Sequence, residues 1–464
     1  MLKKIFILIY IILFNISFSN CKKVVIPFQT VKNTHTNYIK SLIQSQIYAK
    51  LEIGDTRQIV YLAISTETYL FAIESYLINE NFYSAKKSTS YKNNTYMDFY
   101  GDYQRMKYGD ILNETFYFQD SVNTNELKKY YNIMFDYITG LSKGSSGEDN
   151  GYIDNNITLM SGVIGLQISR RYSERDEIFL IKSLKNIDAI DKIVWSIEYK
   201  NDDEGYLILG EYPHQYDNNY TKDDFDDLNC ITVDYEFYWY FIFTDIKIGE
   251  NKMNNYRTAE YSPQLGLIIG TSEYKEFIYN YFNKFGPQCS LNKIEYKEIE
   301  YTYYECDKNI NVDDFEQIVF IHRDSGNNFN LDKNDLFVDY TDKKYFLVIF
   351  QRQSYNQRWK LGKPFVKKYK FAFDHDSKSM LYYKNSGGKG KNNKKNYHLY
   401  IIACVFGILV IALGIFIGKI LFGKKKKKKA NELEDNNEYF YKEPINEDNN
   451  NENNPNLENN KMYL

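Results

Sequence analysis

Two short stretches place hydroxyl and carboxyl groups directly after apolar runs, as happens where a buried strand ends at a cleft. The first is Q-I-V-Y-L-A-I-S-T-E-T, residues 58–68, and the second is L-G-L-I-I-G-T-S-E-Y, residues 265–274. Each contains a Thr followed within two residues by a Glu, namely Glu67 and Glu273. Two carboxylates held in contact can share a proton and serve as general acid and base. The hydroxyl of Ser65 would instead need a neighbouring base, and no His or Lys lies close to it in the sequence.

The composition favours strands as the elements that position these stretches. The chain has 46 Tyr and 31 Phe but only 7 Pro, and aromatic side chains suit a pleated, half-buried surface. Its 464 residues and 43% hydrophobic content are enough for two substantial domains. A net charge of -3 argues against a nucleic-acid partner. We therefore predict a mostly β protein that does not bind nucleic acid.

Both ends of the chain carry membrane-targeting patterns. Two lysines precede an apolar run and small serines, which predicts a signal peptide over 1–19. Residues 398–422 include twenty consecutive uncharged residues followed by a lysine-rich segment, which predicts one transmembrane helix and a cytosolic tail, 423–464. A basic linker, 384–397, precedes the helix. We expect a single-pass type I membrane protein of the secretory system or cell surface, with a disordered tail that is a candidate contact for cytosolic adaptors.

The cysteines and glycosylation sequons agree with an ectodomain outside the cytosol. Cys404 falls in the predicted membrane span, and the other four cysteines allow two disulfides. Sequence proximity favours Cys289 with Cys306, which leaves Cys21 with Cys230; other pairings remain open. Four Asn-x-Ser/Thr sequons all precede the predicted span, and they are Asn93, Asn113, Asn156 and Asn219.

Six segments in the same order resemble the pepsin-like aspartic peptidase family over residues 24–383. They include I-Y-A-K-L-E-I-G-D-T-R-Q-I-V-Y-L at 47–62, K-Y-G at 107–109, S-G-V-I-G-L at 161–166 and G-Y-L-I-L-G-E-Y at 205–212. The most specific is W-K-L-G-K-P-F-V-K-K-Y-K-F-A-F-D, which begins at Trp359 and resembles the carboxyl-terminal signature of the family. The resemblance implies two β-rich lobes, here 20–212 and 213–383, related by a pseudo-twofold axis with a peptide cleft between them.

The resemblance also implies a site, and the sequence departs from the family there. The family uses two Asp-Thr-Gly loops, and its aspartate positions correspond here to Ser65 and Gly270, with Thr66 and Thr271 retained. Two carboxylates are needed to share the catalytic proton, so no catalytic residue is expected. The carboxylates of Glu67 and Glu273 lie at different offsets from the matching threonines, so the pseudo-twofold would not bring them together.

The resemblance further assigns Tyr108, Gly109 and Asp110 to the flap that covers the cleft. Residues 106–122 are expected to form a hairpin with Gly109 and Asp110 at or near its tip, because Gly-Asp is a turn signal.

Three functions follow from these observations. The preferred one is a catalytically inactive, membrane-anchored, pepsin-like glycoprotein that binds a peptide or protein in the cleft between the lobes. The alternatives are a divergent membrane-anchored endopeptidase and a structural or adhesion glycoprotein. The sequence shows no metal-binding spacing and no phosphate-binding loop, so we expect neither a metal nor another cofactor.

Overall fold

The structure is a computed structural model that describes residues 22–31, 37–68, 71–74, 83–100, 106–141, 161–167, 179–220, 225–229, 231–233, 236–352 and 358–383. All of these residues belong to one compact unit, 1–389. The predicted signal peptide, linker, transmembrane helix and tail lie outside them, as do Cys21, Cys230 and Asn156. Within the described ranges, no helix is long and apolar enough to span a bilayer.

The described chain is built mainly from strands, which confirms the predicted mostly β structure. The strands before residue 212 are β1 (Val24–Val31), β2 (Gln46–Ile53), β3 (Gln58–Ser65), β4 (Phe71–Glu74), β5 (Lys92–Tyr100), β6 (Met106–Phe118), β7 (Lys128–Leu141), β8 (Gly162–Gly165), β9 (Val194–Tyr199) and β10 (Glu204–Leu209). Helices α1 (Tyr38–Ile43), α2 (Leu180–Asn186) and α3 (Pro213–Tyr216) and a 3-10 turn (Ala85–Lys87) accompany them.

The remaining strands supply most of a second sheet. They are β11 (Phe225–Asn229), β12 (Ile231–Val233), β13 (Glu236–Tyr238), β14 (Tyr240–Ile248), β15 (Asn251–Tyr261), β16 (Ile268–Gly270), β17 (Cys289–Tyr296), β18 (Ile299–Asp307), β19 (Ile318–His322), β20 (Asn328–Leu331), β21 (Phe337–Tyr340), β22 (Lys343–Phe346), β23 (Val348–Gln351), β24 (Trp359–Leu361), β25 (Lys370–Asp374) and β26 (Ser379–Tyr383). The helices here are α4 (Ser272–Phe282), a 3-10 segment (Asn283–Gln288), α5 (Lys333–Leu336) and α6 (Lys363–Lys368).

One sheet contains strands from both ends of the described chain. Its order is β11-β26-β25-β9-β10-β1-β2-β3-β8-β4-β7-β6-β5, and β14 to β24 form the other large sheet. The link is the antiparallel pair of β9 with β25, which places Trp195 opposite Phe373. The last strands of the chain thus pair with a strand that lies before the predicted lobe boundary at residue 212.

Strand alternation explains how these sequences fold into sheets. In β3, Val60, Leu62 and Ile64 are buried, whereas the residues between them are at least partly exposed. This period of two turns one face of the strand to the core and the other to the opposite side. Leu62 and Ile64 belong to the largest apolar core, which extends into both large sheets.

A disulfide closes the hairpin of β17 and β18. Cys289 lies directly opposite Cys306 in this antiparallel pair, and their Cα atoms are 4.0 Å apart. This bridge is the pairing that sequence proximity favoured. The pairing of Cys21 with Cys230 stays a prediction.

Candidate functional site

The same arrangement of five strands occurs twice. In the first motif, β3 pairs antiparallel with β2 and parallel with β8, and β4 pairs antiparallel with β8 and parallel with β7. In the second motif, β15 pairs antiparallel with β14 and parallel with β24, and β16 pairs antiparallel with β24 and parallel with β23. In each motif, one loop follows an equivalent strand end. The first loop follows β3 and the second follows β15, and we call them the two loops.

The strand register identifies Ser262 as the equivalent of Ser65. Ser65 is opposite Gly165 in the pair of β3 with β8, and Tyr261 is opposite Leu361 in the pair of β15 with β24. The next residues along are Ser262 and Gly362, so a serine beside a glycine ends both strands. The assignment of the second aspartate position to Gly270 is therefore wrong. Gly270 ends β16, whose equivalent in the first motif is β4.

The two loops touch each other through two hydrogen bonds, one of which joins equivalent residues. The hydroxyl of Thr66 donates to the carbonyl oxygen of Tyr261, 2.9 Å away. Glu67 and Gln264, each two residues beyond its serine, meet through a hydrogen bond of 3.4 Å from Nε2 to Oε1. Pro263 is the equivalent of Thr66 in the second loop. It has no hydroxyl, so it cannot donate a matching hydrogen bond to the first loop. These contacts place the two loops at one junction, as the resemblance implied.

The serines themselves differ in environment. The Oγ of Ser65 is half-buried and accepts a hydrogen bond of 3.1 Å from the amide of Glu67. The side chain of Ser262 is fully buried, and its amide donates to the carbonyl of Leu361 at 3.1 Å. No carboxylate occupies either position.

A charged cluster lies beside these loops. We call Glu67, Glu260 and Lys360 the junction cluster. The ammonium of Lys360 donates to Oε1 of Glu67 at 2.9 Å, and 36% of the Lys360 side chain and 45% of the Glu67 side chain are exposed. Glu260 is opposite Lys360 in the register and two residues before Ser262, so alternation puts these side chains on one face. In the first motif, Ala63 and Val163 occupy the equivalent positions.

Burial and charge act in opposite directions within the junction cluster. Burial raises the pKa of Glu260 to about 7, even though Lys360 pulls it down. Burial also acts to lower the pKa of Lys360, but the attraction of Glu260 and Glu67 prevails and raises it. The lysine is consequently charged at every physiological pH and cannot serve as a base.

Gly270, Thr271 and Glu273 lie in a different setting from the serines. A Cβ added at Gly270 would lie 2.9 Å from the ring of the fully buried Trp359. Thr271 is buried at the start of α4. Glu273 pairs with Arg257 at 2.5 Å; burial acts to raise the pKa of Glu273, but the hydrogen bond and positive charge of Arg257 lower it overall. Glu273 therefore has a structural ion pair, and the loop contacts described above do not include it.

The predicted hairpin over residues 106–122 is wrong. Met106–Phe118 is one continuous strand that pairs with β5 on one side and β7 on the other. Tyr108, Gly109 and Asp110 lie opposite Asp98, Met97 and Tyr96 in β5. Hydrogen bonding to two neighbours overrides the local turn preference of Gly-Asp. Residues 101–105, which connect β5 to β6 in the sequence, lie outside the described residues.

A cavity of about 240 Å³ lies away from the two loops. It is lined by residues of β1 and β10 and of the β6–β7 and β9–β10 connections, including Phe28, Gln119, Lys200, Glu204 and Tyr206. None of its lining residues belongs to the loops or to the junction cluster. Among the described residues, no group of three or more His, Cys, Asp and Glu side chains is placed to hold a metal ion.

Sequence reasoning missed Ser262, Glu260 and Lys360. A signal was present, because A-E-Y and W-K-L each place a charged residue between two apolar or aromatic residues. Such a residue is costly to bury unless it is paired, so two of them predict a partnership. Nothing in the sequence brings position 260 beside position 360.

Comparison with known proteins agrees with this geometry. The sequence model of the eukaryotic aspartyl protease family matches residues 48–382, well over half of the chain. A search of curated proteins gave no match. The match begins in β2 and ends in β26, so it covers both motifs and both loops. The chain belongs to the eukaryotic aspartyl protease family.

Proposed function

We propose that this chain is a catalytically inactive, membrane-anchored member of its family, whose ectodomain binds a peptide or protein where the two loops meet. The observation that carries the proposal is the register, which puts Ser65 and Ser262 at equivalent strand ends. Peptide hydrolysis by this fold would need two carboxylates that share a proton at those ends. A serine hydroxyl does not ionise in the pH range where carboxyl groups titrate, so it cannot take the place of a carboxylate that shares a proton.

The remaining carboxylates do not supply a substitute pair. Glu273 is held by Arg257, and Glu67 is held by Lys360 and Gln264. Glu260 is the carboxylate closest in chemistry to a general acid, since its pKa is about 7. However, the positive charge of Lys360 attracts both Glu67 and Glu260, so it works against a proton shared by these two carboxylates.

Membrane anchoring is part of the same proposal and rests on the sequence. The signal pattern at 1–19 and the uncharged run within 398–422 support a type I protein whose ectodomain faces the lumen or the exterior. Of the predicted glycosylation sites, Asn219 is exposed in a turn, which suits a glycan. Asn113 lies within β6, between two neighbouring strands, and its Oδ1 is buried. Asn219 is therefore the stronger candidate of the two.

Restoring aspartates at the positions first assigned is expected to fail. Ser65→Asp combined with Gly270→Asp should give no peptidase turnover, since Gly270 faces Trp359 and lies outside the loop junction. The Gly270→Asp change should also destabilise the ectodomain by roughly 2 kcal/mol or more, because the buried indole cannot move away. Thermal unfolding and a peptide hydrolysis assay would measure the two effects. Turnover by this double variant would contradict the placement of the site.

Binding without cleavage tests the proposal itself. A fluorescently labelled denatured protein, such as reduced and alkylated α-lactalbumin, is titrated with the purified ectodomain while anisotropy is recorded at pH 5 and pH 7. We expect saturable binding, with the probe recovered intact on a gel. Cleavage of the probe would favour the endopeptidase alternative. An intact probe with no anisotropy change would favour the structural or adhesion alternative.

A further inference from the structure

The junction cluster joins parts of the chain that are far apart in sequence. Glu67 follows β3 in the first motif, whereas Glu260 and Lys360 belong to β15 and β24 in the second. The bond between Lys360 and Glu67 therefore ties the two motifs together at the point where their loops meet. Lys360 thus bonds to an exposed carboxylate, Glu67, and is opposite a buried one, Glu260, which is only 8% exposed.

The surroundings of Glu260 contain few other charges. Lys360 is its neighbour on β24, and Tyr240 is its neighbour on β14. Arg358 precedes β24 and engages Tyr240, with its Nη1 donating to the tyrosine hydroxyl at 2.8 Å. Among the described residues, Tyr301 of β18 also faces Lys360, and the charge of Glu67 also acts on Glu260. The charge balance at Glu260 therefore depends mainly on Lys360.

We propose that the proton on Glu260 controls how firmly Lys360 holds Glu67, so that the junction between the two motifs is a pH-dependent latch. When Glu260 is charged, it competes with Glu67 for the single ammonium group of Lys360. When Glu260 is neutral, Lys360 interacts with Glu67 alone, and the loops are held more tightly.

The sign of the effect follows from the direction of the Glu260 shift. Burial raises the pKa of Glu260 to about 7, so its carboxyl group changes charge between mildly acidic and neutral pH. Lowering the pH through 7 therefore neutralises Glu260 and tightens the latch. The apolar pair Ala63 and Val163 at the equivalent positions of the first motif provides no such response. This latch operates whether or not the junction binds a polypeptide.

Hydrogen exchange on the full chain in detergent tests the latch. Protection factors, which remove the intrinsic pH dependence of exchange, are measured at pH 8 and pH 6 for the amides of residues 65–68, 262 and 264–268. Protection in the unaltered protein should rise severalfold from pH 8 to pH 6. Glu67→Gln removes an exposed partner without disturbing the core, so it should give low protection that does not change with pH.

Two further variants separate the latch from a general pH effect. Glu260→Gln imitates the neutral state and should give high protection at both pH values. Glu273→Gln is the matched control, because it removes an ion pair between Glu273 of α4 and Arg257 of β15 that lies outside the junction cluster. It should keep the pH response. Equal protection at pH 8 and pH 6 in the unaltered protein would overturn the proposal. A pH response that persists in Glu67→Gln would also overturn it. The Glu67→Gln variant therefore tests the latch even if Glu260→Gln does not fold.

Discussion

Acidification from pH 7 to pH 4.5 is expected to remove about 3 kcal/mol of folding free energy through one half-buried histidine, His375. Its ring packs 4.8 Å from Phe179 and 4.9 Å from Trp239, and it receives a hydrogen bond of 3.2 Å from Nε1 of Trp195. Burial lowers the pKa of His375 to about 3. Below pH 6.5 the unfolded chain takes up a proton that the folded chain excludes. The stabilisation is therefore present above pH 6.5 and is lost as the pH falls toward 3.

Glu260 works in the opposite direction over the same range. Because its pKa is raised to about 7 in the folded state, its stabilising contribution is complete below pH 4.5 and is lost as the pH rises through 7. The stability of the unaltered ectodomain should consequently change little between pH 4.5 and pH 7. His375→Gln keeps an acceptor for Trp195 but cannot titrate, so its stability should rise as the pH falls.

Urea unfolding of the ectodomain at several pH values between 4.5 and 7 would measure these slopes. The companion variant Glu260→Gln should show the opposite slope from His375→Gln, with stability falling in acid. Identical slopes for the unaltered protein and His375→Gln would show that His375 does not exclude its proton when folded.

Truncation of Trp239 is expected to have the second large effect. This indole is 2% exposed, and its Nε1 donates to the carbonyl oxygen of Leu166 at 2.6 Å. Its ring lies 5.2 Å from Phe373 and 6.0 Å from Trp195, so it links the end of β8 to β9 and β25 of the same sheet. Trp239→Ala should cost roughly 4 kcal/mol, because it leaves a cavity and an unpaired buried carbonyl.

The matched control for Trp239 is an exposed aromatic residue. Tyr131 is 58% exposed, and its ring contacts the ammonium of Lys129 at 4.8 Å. Tyr131→Ala should change the free energy of unfolding by less than about 0.5 kcal/mol. Similar losses for the two variants in urea unfolding would mean that the Trp239 contacts do not hold the motifs together.

The sequence predicted the parts of this structure that depend on local pattern. Period-two burial in β3 and the order of the family segments led to a mostly β fold, to the family and to Ser65 as one strand end. Proximity also favoured the disulfide between Cys289 and Cys306, since their strands form one hairpin. These features involve residues that are close in sequence or that carry a direct signature.

The second loop was placed wrongly because its signature is hidden. Pro263 and Gln264 replace the Thr-Gly that would mark it, whereas residues 270–272 read Gly-Thr-Ser after an apolar strand. Only the parallel pairing of β15 with β24 shows that Ser262, eight residues earlier, is the equivalent of Ser65. The junction cluster was missed for a similar reason, because Glu67 and Lys360 meet through tertiary contacts across almost three hundred residues.

We propose that the two loops meet without a carboxylate pair and that the protein therefore does not hydrolyse peptides. The most direct test of this claim is the rate of peptide-bond hydrolysis by the purified ectodomain, measured at each pH from 3 to 8 with a denatured protein substrate. We predict no hydrolysis above the background of a mock purification at any pH. Hydrolysis that copurifies with the ectodomain and disappears in Glu67→Gln or Glu260→Gln would contradict this claim, since it would show that displaced carboxylates perform the reaction.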